Sequence, residues 1–359
     1  MAQPNRRAPV IGLLTSSGGT LDAFFLEIIE RWQAQGAIVE CAAGSPSKGI
    51  ARQTVLASVT RRPSPRNLGA RRELRAWVRD KGIDVVLTNT ATASMLARGA
   101  GVGAPVVYFC HGLHWNGRRL ADLPFRIAER ALIPRTGGIV TINSSDEGWF
   151  SRNASRTPRL RLLGGVGLDT HRFARRSPIR WDEGGEPLRL VWCGEFSARK
   201  DPAAAVELAH ALHRRGVDVV LDMLGDGELF DSRDTRSPIE GLVRRRGRTD
   251  VVSYFEQAHV LVQTSRWEGL PRVGLEAIAI GLPVVGFDVK GVRDLPAVSV
   301  APSDDIEALA EAVLASARGD HEPLPDPATL SYVHAADMLL EFVDAVATGN
   351  FPSGRAYAA

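Results

Sequence analysis

Glu268 and Glu276 stand with seven residues between them in SRWEGLPRVGLEAIAIGLPVVG, residues 265–286. The strand-like run ending at Ser265 puts Glu268 at a strand's C-terminal end. The spacing predicts a helix over 271–280, with Pro271 early, apolar Val273, Leu275, Ala277 and Ile278 within, and Gly281 as its stop. Glu276 then lies inside the helix, and the free N–H groups of the first turn form an anion site. Two carboxylates beside an anion site suit a nucleotide-sugar: one for ribose hydroxyls, one for sugar hydroxyls, the helix start for diphosphate. Each charged hydrogen bond of this kind contributes roughly 1.5–3 kcal/mol. Spacing alone leaves a second reading open, in which Glu276 merely caps or salt-bridges its own helix.

The elements that must position these groups can be read from apolar runs. VIGLLTS from 10, AIVECAAG from 37, IDVVLTNT from 83, APVVYFCHG from 104, GIVTINSS from 138 and LRLLGGVG from 160 form one series. LRLVWCGEF from 188, VDVVLDMLG from 217, HVLVQTS from 259, LPVVGFD from 282 and AVSVAPS from 297 form a second. Segments with helical spacing, such as DAFFLEIIERWQAQG from 22, separate them. Runs apolar on both faces alternating with helices imply parallel sheets covered on both sides. The expected fold is α/β: two doubly wound, Rossmann-like domains facing each other across a cleft, with ligands at the strands' C-terminal ends. The expected boundaries are 1–174, a polar linker at 175–187, a second domain at 188–345 and a tail at 346–359.

Composition narrows the class. With 359 residues, 44% hydrophobic and 24% charged, the chain has enough apolar mass for two cores. A net charge of +3 is too small to imply nucleic acid as a partner. No stretch approaches the ~20 apolar residues of a membrane span. The N-terminal apolar segment, only about seven residues long, reads as a first strand and not as a signal sequence. Cys41, Cys110 and Cys193 each sit in a strand-like run and read as buried free thiols. Trp32, Trp77 and Trp149 read as core, and His210 and His213 as solvated on a helix surface with no metal-ligand spacing.

E-G-L-P-R-V-G-L-E closely resembles the signature of family 4 glycosyltransferases, and the resemblance extends through nearly the whole chain. LRLVWCGEFSARKDPAAAVELAHAL resembles that family's phosphate loop and following helix, LGDGEL its nucleotide-side loop, and LLGGVGLDTHRF its interdomain segment. TRRPSPRNLGARRELRAWV, CHGLHW and ERALIPRTGGIVTINSSDEGWF are similar to a branch that makes capsular and extracellular polysaccharides. The resemblance implies the GT-B fold and a retaining transfer of a hexose or N-acetylhexosamine from a UDP-sugar. It implies no metal and no cofactor, the UDP-sugar being a co-substrate.

Carried over residue by residue, the resemblance puts Glu276 on the ribose hydroxyls and Glu268 on the donor sugar. Lys200 falls on the diphosphate and His111 near the sugar's outer hydroxyls, so His111, Lys200 and Glu268 are the catalytic candidates. Gly194, Gly225, Gly269, Leu270 and Val273 complete the donor site, and Gly18 and Gly19 form the glycine loop of the N-terminal half. The chain departs from the family at Glu195, where most members carry Arg, a feature the polysaccharide branch shares. Pro271 lacks an N–H that many relatives point at the sugar. Residues 229–250 fall short of the usual helix plus strand, which leaves the base-contacting residues unidentified. Asp22 and His114 are alternative proton acceptors, each read first as structural or acceptor-facing.

The rival classes have weaker support. TSSGGT does not supply the G-x-G-x-x-G of a dehydrogenase, and GVGAPV at 101 precedes a strand. A UDP-sugar epimerase of the same architecture lacks a reason for the Glu pair and Lys200, and a non-catalytic binding protein lacks one for the full set. The expected acceptor is a lipid-linked saccharide at the inner face of the cell membrane, with a soluble small-molecule aglycone as the alternative. The expected location is therefore cytoplasmic and peripheral to that membrane. Arg71, Arg72, Arg75 and Arg79 form a helical stripe opposite Leu74, Trp77 and Val78, and this stripe could meet anionic headgroups.

Overall fold

A computed structural model describes residues 8–113, 115, 120–177 and 179–351. The first sheet contains β1 (Val10–Thr15), β2 (Ile38–Ala43), β3 (Gln53–Val55), β4 (Val85–Thr88), β5 (Val106–Cys110), β6 (Gly138–Thr141) and β7 (Arg159–Arg161). Its order is β3-β2-β1-β4-β5-β6-β7, every pair parallel. The second sheet contains β8 (Leu188–Cys193), β9 (Val219–Leu224), β10 (Val243–Gly247), β11 (Val260–Gln263), β12 (Val284–Phe287) and β13 (Ser299–Ala301). Its order is β10-β9-β8-β11-β12-β13, again all parallel. The two series of apolar runs thus form two Rossmann-like sheets. The order in which strands are added reverses beside β1 in the first sheet and beside β8 in the second, and such a switch point is where open α/β sheets bind ligands.

Two strands have no apolar run in the sequence. β3 is three residues long, and β10 is VRRRG at the sheet edge. Arg244 and Arg246 alternate outward on β10 while Val243 and Arg245 are half-buried, so charge masks the strand. Residues 229–250 therefore keep their strand and lack the long helix; a short 3-10 turn at Arg233–Thr235 stands before it. The first helical run also begins earlier than expected, at Gly18, and breaks at Phe25 into Gly18–Phe24 and Leu26–Ala34.

The chain forms two compact units, Leu168–Ser331 and the remainder on either side of it. The expected linker at 175–187 belongs to the second unit. Its backbone is pinned there, with Arg176 N–H donating to the Ile280 carbonyl and Trp181 N–H to that of Ala317, both at 2.9 Å. The expected end of the second domain at 345 is also displaced. Helix Tyr332–Thr348 packs on the first unit, where Trp32 Nε1 donates to the Ala336 carbonyl at 2.8 Å and Arg31 grips Asp337 at 2.7 Å. Phe342, Val343 and Ala336 of this helix are buried, so it is a core element of the first unit. The proposed tail at 346–359 begins inside this helix, and its residues from 352 lie outside the described ones.

Trp32, Trp77 and Trp149 are buried as expected. Cys41 and Cys110 are buried free thiols, whereas Cys193 is half-buried. His213 is exposed, but His210 is partly covered and hydrogen-bonded to Ser237 at 2.9 Å, so it is not simply solvated. Among the described residues no helix is long and apolar enough to cross a membrane.

Candidate active site

In the second unit the site is built at the C-terminal ends of β8, β9 and β11. Gly194 follows β8 and Gly225 follows β9, and the two backbones touch. Gly225 has φ +127°, and a Cβ there would lie 1.9 Å from the Gly194 carbonyl oxygen, so only glycine fits. This contact fixes the loop Gly194–Lys200 that carries the cations. Asp201 closes the loop in the left-handed region, φ 49°, and caps the next helix, Pro202–Arg214, by accepting from the Ala204 amide.

Glu268, on the loop after β11, is buried at 6% exposure. Lys200 Nζ approaches one carboxylate oxygen at 2.6 Å and Arg199 the other at 2.6 Å. Ser265 Oγ donates to the first oxygen at 2.8 Å, and the Glu268 N–H donates to the Lys290 carbonyl at 2.8 Å. Beneath it, Gly291 has φ +82° and packs so closely that a Cβ would meet the Glu268 carbonyl oxygen at 2.6 Å. One carboxylate therefore holds two cations, and the cluster carries a net positive charge where a diphosphate could compete for it. Arg199, whose guanidinium also stands 5.5 Å from the Trp267 ring, was missed in the sequence. Its adjacency to Lys200 was the only available signal.

The predicted helix is present as Arg272–Ile280, with Pro271 at its N-cap and Gly281 ending it at φ +103°. Glu276 is 16% exposed and bonded to Arg272 four residues back at 3.2 Å. That bond is the local salt bridge weighed above. It leaves Glu276 under-compensated, because burial raises its pKa above the ordinary glutamate value, with Arg272 opposing. Cys193, pushed up to about 12 by burial, lies near enough for Glu276 to add to that rise and Lys200 to oppose it. Gly269 is half-buried, and Leu270 and Val273 pack against the second unit's apolar cluster around Leu275 and Ile278.

In the first unit His111 directly follows β5, at the strands' C-terminal edge. Its ring lies 4.2 Å from that of Phe109 and 5.8 Å from that of Phe24. Nε2 contacts the side-chain amide nitrogen of Asn89, a buried residue just beyond β4. Burial pushes the imidazole pKa down to about 4. At neutral pH the ring is uncharged, accepts from Asn89 at Nε2 and carries its proton on Nδ1. The following loop is tied down by Asp146, which accepts from the Leu113 amide at 3.0 Å and the Asn143 side chain at 2.8 Å. Asn143 caps the helix Ser144–Asn153, so NSSD serves to hold the His111 loop.

The glycine loop separates into two roles. The Gly18 amide is already bonded to Ser45 Oγ at 3.1 Å, and a Cβ would meet the Pro46 carbonyl at 2.0 Å, so Gly18 serves packing. Gly19 faces open space. Asp22 accepts from the Lys48 and Gly49 amides at 3.0 Å and from Ser47 Oγ, contacts that lower its pKa. It anchors residues 47–49, the structural role read first for it. His114 lies outside the described residues. Of the arginine stripe, on helix Ala70–Asp80, Arg71 and Arg72 are exposed, while Arg75 donates to the Gly101 carbonyl and Arg79 pairs with Asp80. Among the described residues no three His, Cys, Asp or Glu are grouped to hold a metal ion.

Two Rossmann-like units with a cation-clamped glutamate after a strand and a second glutamate in the following helix define the class as GT-B glycosyltransferases. Residues 19–165 match the glycosyl transferase 4-like domain and residues 187–318 the glycosyl transferases group 1 domain. The chain belongs to the family 4 glycosyltransferases. Over 257 residues it is 26% identical to a Bacillus subtilis (strain 168) protein described as glycosyltransferase EpsD, a match covering 64% of this chain and 65% of that one. Over 226 residues it is 23% identical to the UDP-Gal:alpha-D-GlcNAc-diphosphoundecaprenol alpha-1,3-galactosyltransferase of Escherichia coli, covering 58% of each. The chain thus spans less than two thirds of these curated relatives. Its fold matches that of the lipopolysaccharide outer core galactosyltransferase WaaB, with TM-score 0.65 at 15% identity, over 95% of this chain and 98% of that one.

Proposed function

We propose that the protein moves a hexose or N-acetylhexosamine from a UDP-sugar to a lipid-linked saccharide in surface polysaccharide synthesis. The observation that carries this reading is the grip of Lys200 and Arg199 on buried Glu268. Such a pair is suited to a donor diphosphate, and Arg199 compensates for the arginine that Glu195 replaces. On donor binding the diphosphate takes the two cations, and the released Glu268 carboxylate accepts from sugar hydroxyls. The bond from the anomeric carbon to phosphate oxygen breaks as the bond to the acceptor oxygen forms on the same face. The acceptor's proton passes to the leaving phosphate, so configuration is retained without a protein base. Lys200, Arg199 and the start of helix Arg272–Ile280 stabilise the growing phosphate charge, with no metal required. His111, uncharged, offers hydrogen bonds to the sugar's outer hydroxyls.

Glu276 is assigned to the ribose hydroxyls. Glu276→Ala is expected to weaken UDP binding by about 1.5–3 kcal/mol, since the hydroxyls lose a charged acceptor. The raised pKa adds a pH signature. The carboxylate accepts hydroxyl hydrogen bonds more strongly than its acid does, so wild-type UDP affinity should fall as pH drops through a value above the ordinary glutamate one. The alanine variant should lose that step. Calorimetry across acidic pH checks both, and an unchanged affinity would return Glu276 to helix capping.

The acceptor class is supported by the polysaccharide-branch motifs and by the lipid diphosphate in the name of the Escherichia coli relative. It is tested by presenting a panel of UDP-sugars with undecaprenyl-diphosphate-linked saccharides and, separately, with soluble aglycones. Transfer to the lipid-linked set with the anomeric configuration kept is the expected result. Transfer only to soluble aglycones, or epimerised UDP-sugar as the sole product, overturns it. Peripheral association with the membrane's cytoplasmic face follows from the same reading, with Arg71 and Arg72 as the part of the stripe that is exposed and unpaired among the described residues.

A further inference from the structure

In the first unit a cavity of about 420 Å³ opens between helix Ala91–Ala100, helix Leu123–Leu132 and the end of β5. Met95, Leu113, Phe125 and Leu132 give it apolar walls, and Arg61 and Arg62 line it as well. Both arginines are exposed, and the Arg61 carbonyl is held to the cavity by Thr92 Oγ1 at 3.0 Å. Glu129, also in the wall, has its carboxylate committed to Arg98 at 2.5 and 3.0 Å, so its charge is answered from behind. The charge offered to an occupant is therefore positive.

Helix Leu123–Leu132 is apolar on two faces. Phe125, Ala128 and Leu132 line the cavity, while Leu123 and Ile127, four residues apart, are exposed at 48% and 56%. Leu120, one turn earlier, is 87% exposed. A surface helix normally turns charge outward, and clustered exposed apolar side chains mark an interaction surface. An apolar hole, a carbon ridge running from it and a pair of guanidinium groups together fit one chemistry: an anionic head on an apolar chain. The cavity is of the size that holds a small molecule, ~300–1,000 Å³, and much too small for a whole long-chain lipid. It can take only the stretch next to the head, leaving the rest of the chain along Leu123 and Ile127. Leu113 belongs to the same loop as His111, which puts the cavity on the catalytic side of the unit.

We propose that this cavity binds the head-proximal part of a polyisoprenoid chain, with Arg61 and Arg62 on the attached diphosphate. This deepens the reading of a lipid-linked acceptor and rests on it. Farnesyl diphosphate is the probe, titrated by calorimetry into full-length protein saturated with UDP. It is expected to bind, with farnesol and inorganic diphosphate each weaker by about tenfold or more. Met95→Trp, which fills the cavity, and the exposed pair Arg61→Gln/Arg62→Gln should each weaken it about tenfold, with UDP affinity unchanged. Unchanged UDP affinity certifies folding, and if Met95→Trp loses it, the arginine pair decides. Farnesyl diphosphate affinity indifferent to the arginine change, or matched by inorganic diphosphate, overturns the proposal. Self-association through Leu123 and Ile127 without prenyl binding assigns the face to protein and overturns it too. Because the probe reports binding without turnover, its failure is separable from failure of sugar transfer. Transfer to lipid-linked saccharide with unaltered KM in these variants would leave the function standing and remove the cavity from it.

Discussion

Lys200→Ala is expected to lower kcat by about 10²–10³-fold while moving the donor KM much less. The reason is differential binding. The diphosphate gains charge as its bond to the sugar lengthens, so the ammonium at the Glu268 cluster interacts more strongly with the transition state than with the bound donor. Steady-state kinetics at saturating acceptor separate the two constants, and a defect confined to KM would reduce Lys200 to an anchor. Arg199→Ala should produce a smaller loss of the same kind. Glu268→Gln should act oppositely on UDP alone, tightening it because no carboxylate then competes for the cations, while sugar transfer falls. Weakened UDP binding in that variant would show Glu268 to be a support of the loop and not a competitor for its cations.

Arg98→Ala is expected to cost about 3–5 kcal/mol of stability, as removal of one partner of a buried ion pair does. Arg98 is 1% exposed, holds both oxygens of Glu129, and reaches Thr136 Oγ1 and the Ser94 carbonyl at 3.3 Å. Its guanidinium also stacks 4.5 Å from the centre of the Tyr108 ring. Alanine leaves a carboxylate in the wall of the apolar cavity with no cation behind it. Urea unfolding with a fluorescence readout measures the loss, and a cost under about 1 kcal/mol would mean water reaches the pair.

The fold was legible wherever burial dictates composition. Central strands such as β1, β4 and β5 are covered on both faces and are nearly all apolar, so their runs stand out. β10 escaped because an edge strand needs apolar groups on one face only, and its other face carries Arg244 and Arg246. The segment 175–187 read as a linker because its side chains are polar, yet what binds it to the second unit is backbone hydrogen bonding, which leaves no compositional trace. In the site, Glu268 and Glu276 announced themselves by spacing, and Lys200 through the resemblance of its loop to the family's phosphate loop. Arg199 did not, since a guanidinium in a loop looks solvated until a carboxylate 69 positions away folds against it. Asn89 and Asp146 were equally silent, their partners His111 and Leu113 being 22 and 33 positions distant.

Helix Tyr332–Thr348 also sets the order in which this protein can be assembled. Chains emerging from a ribosome ordinarily complete their leading domain first. Here the leading unit lacks a core helix until the segment bearing Ala336, Phe342 and Val343 has been made, whereas Leu168–Ser331 is continuous and can close earlier. The hydrophobic side of the nascent first unit, around Trp32, must wait uncovered through the synthesis of its successor. The half bearing His111 is therefore the last to mature, and a ribosome that stops early releases a finished second unit attached to an incomplete first one.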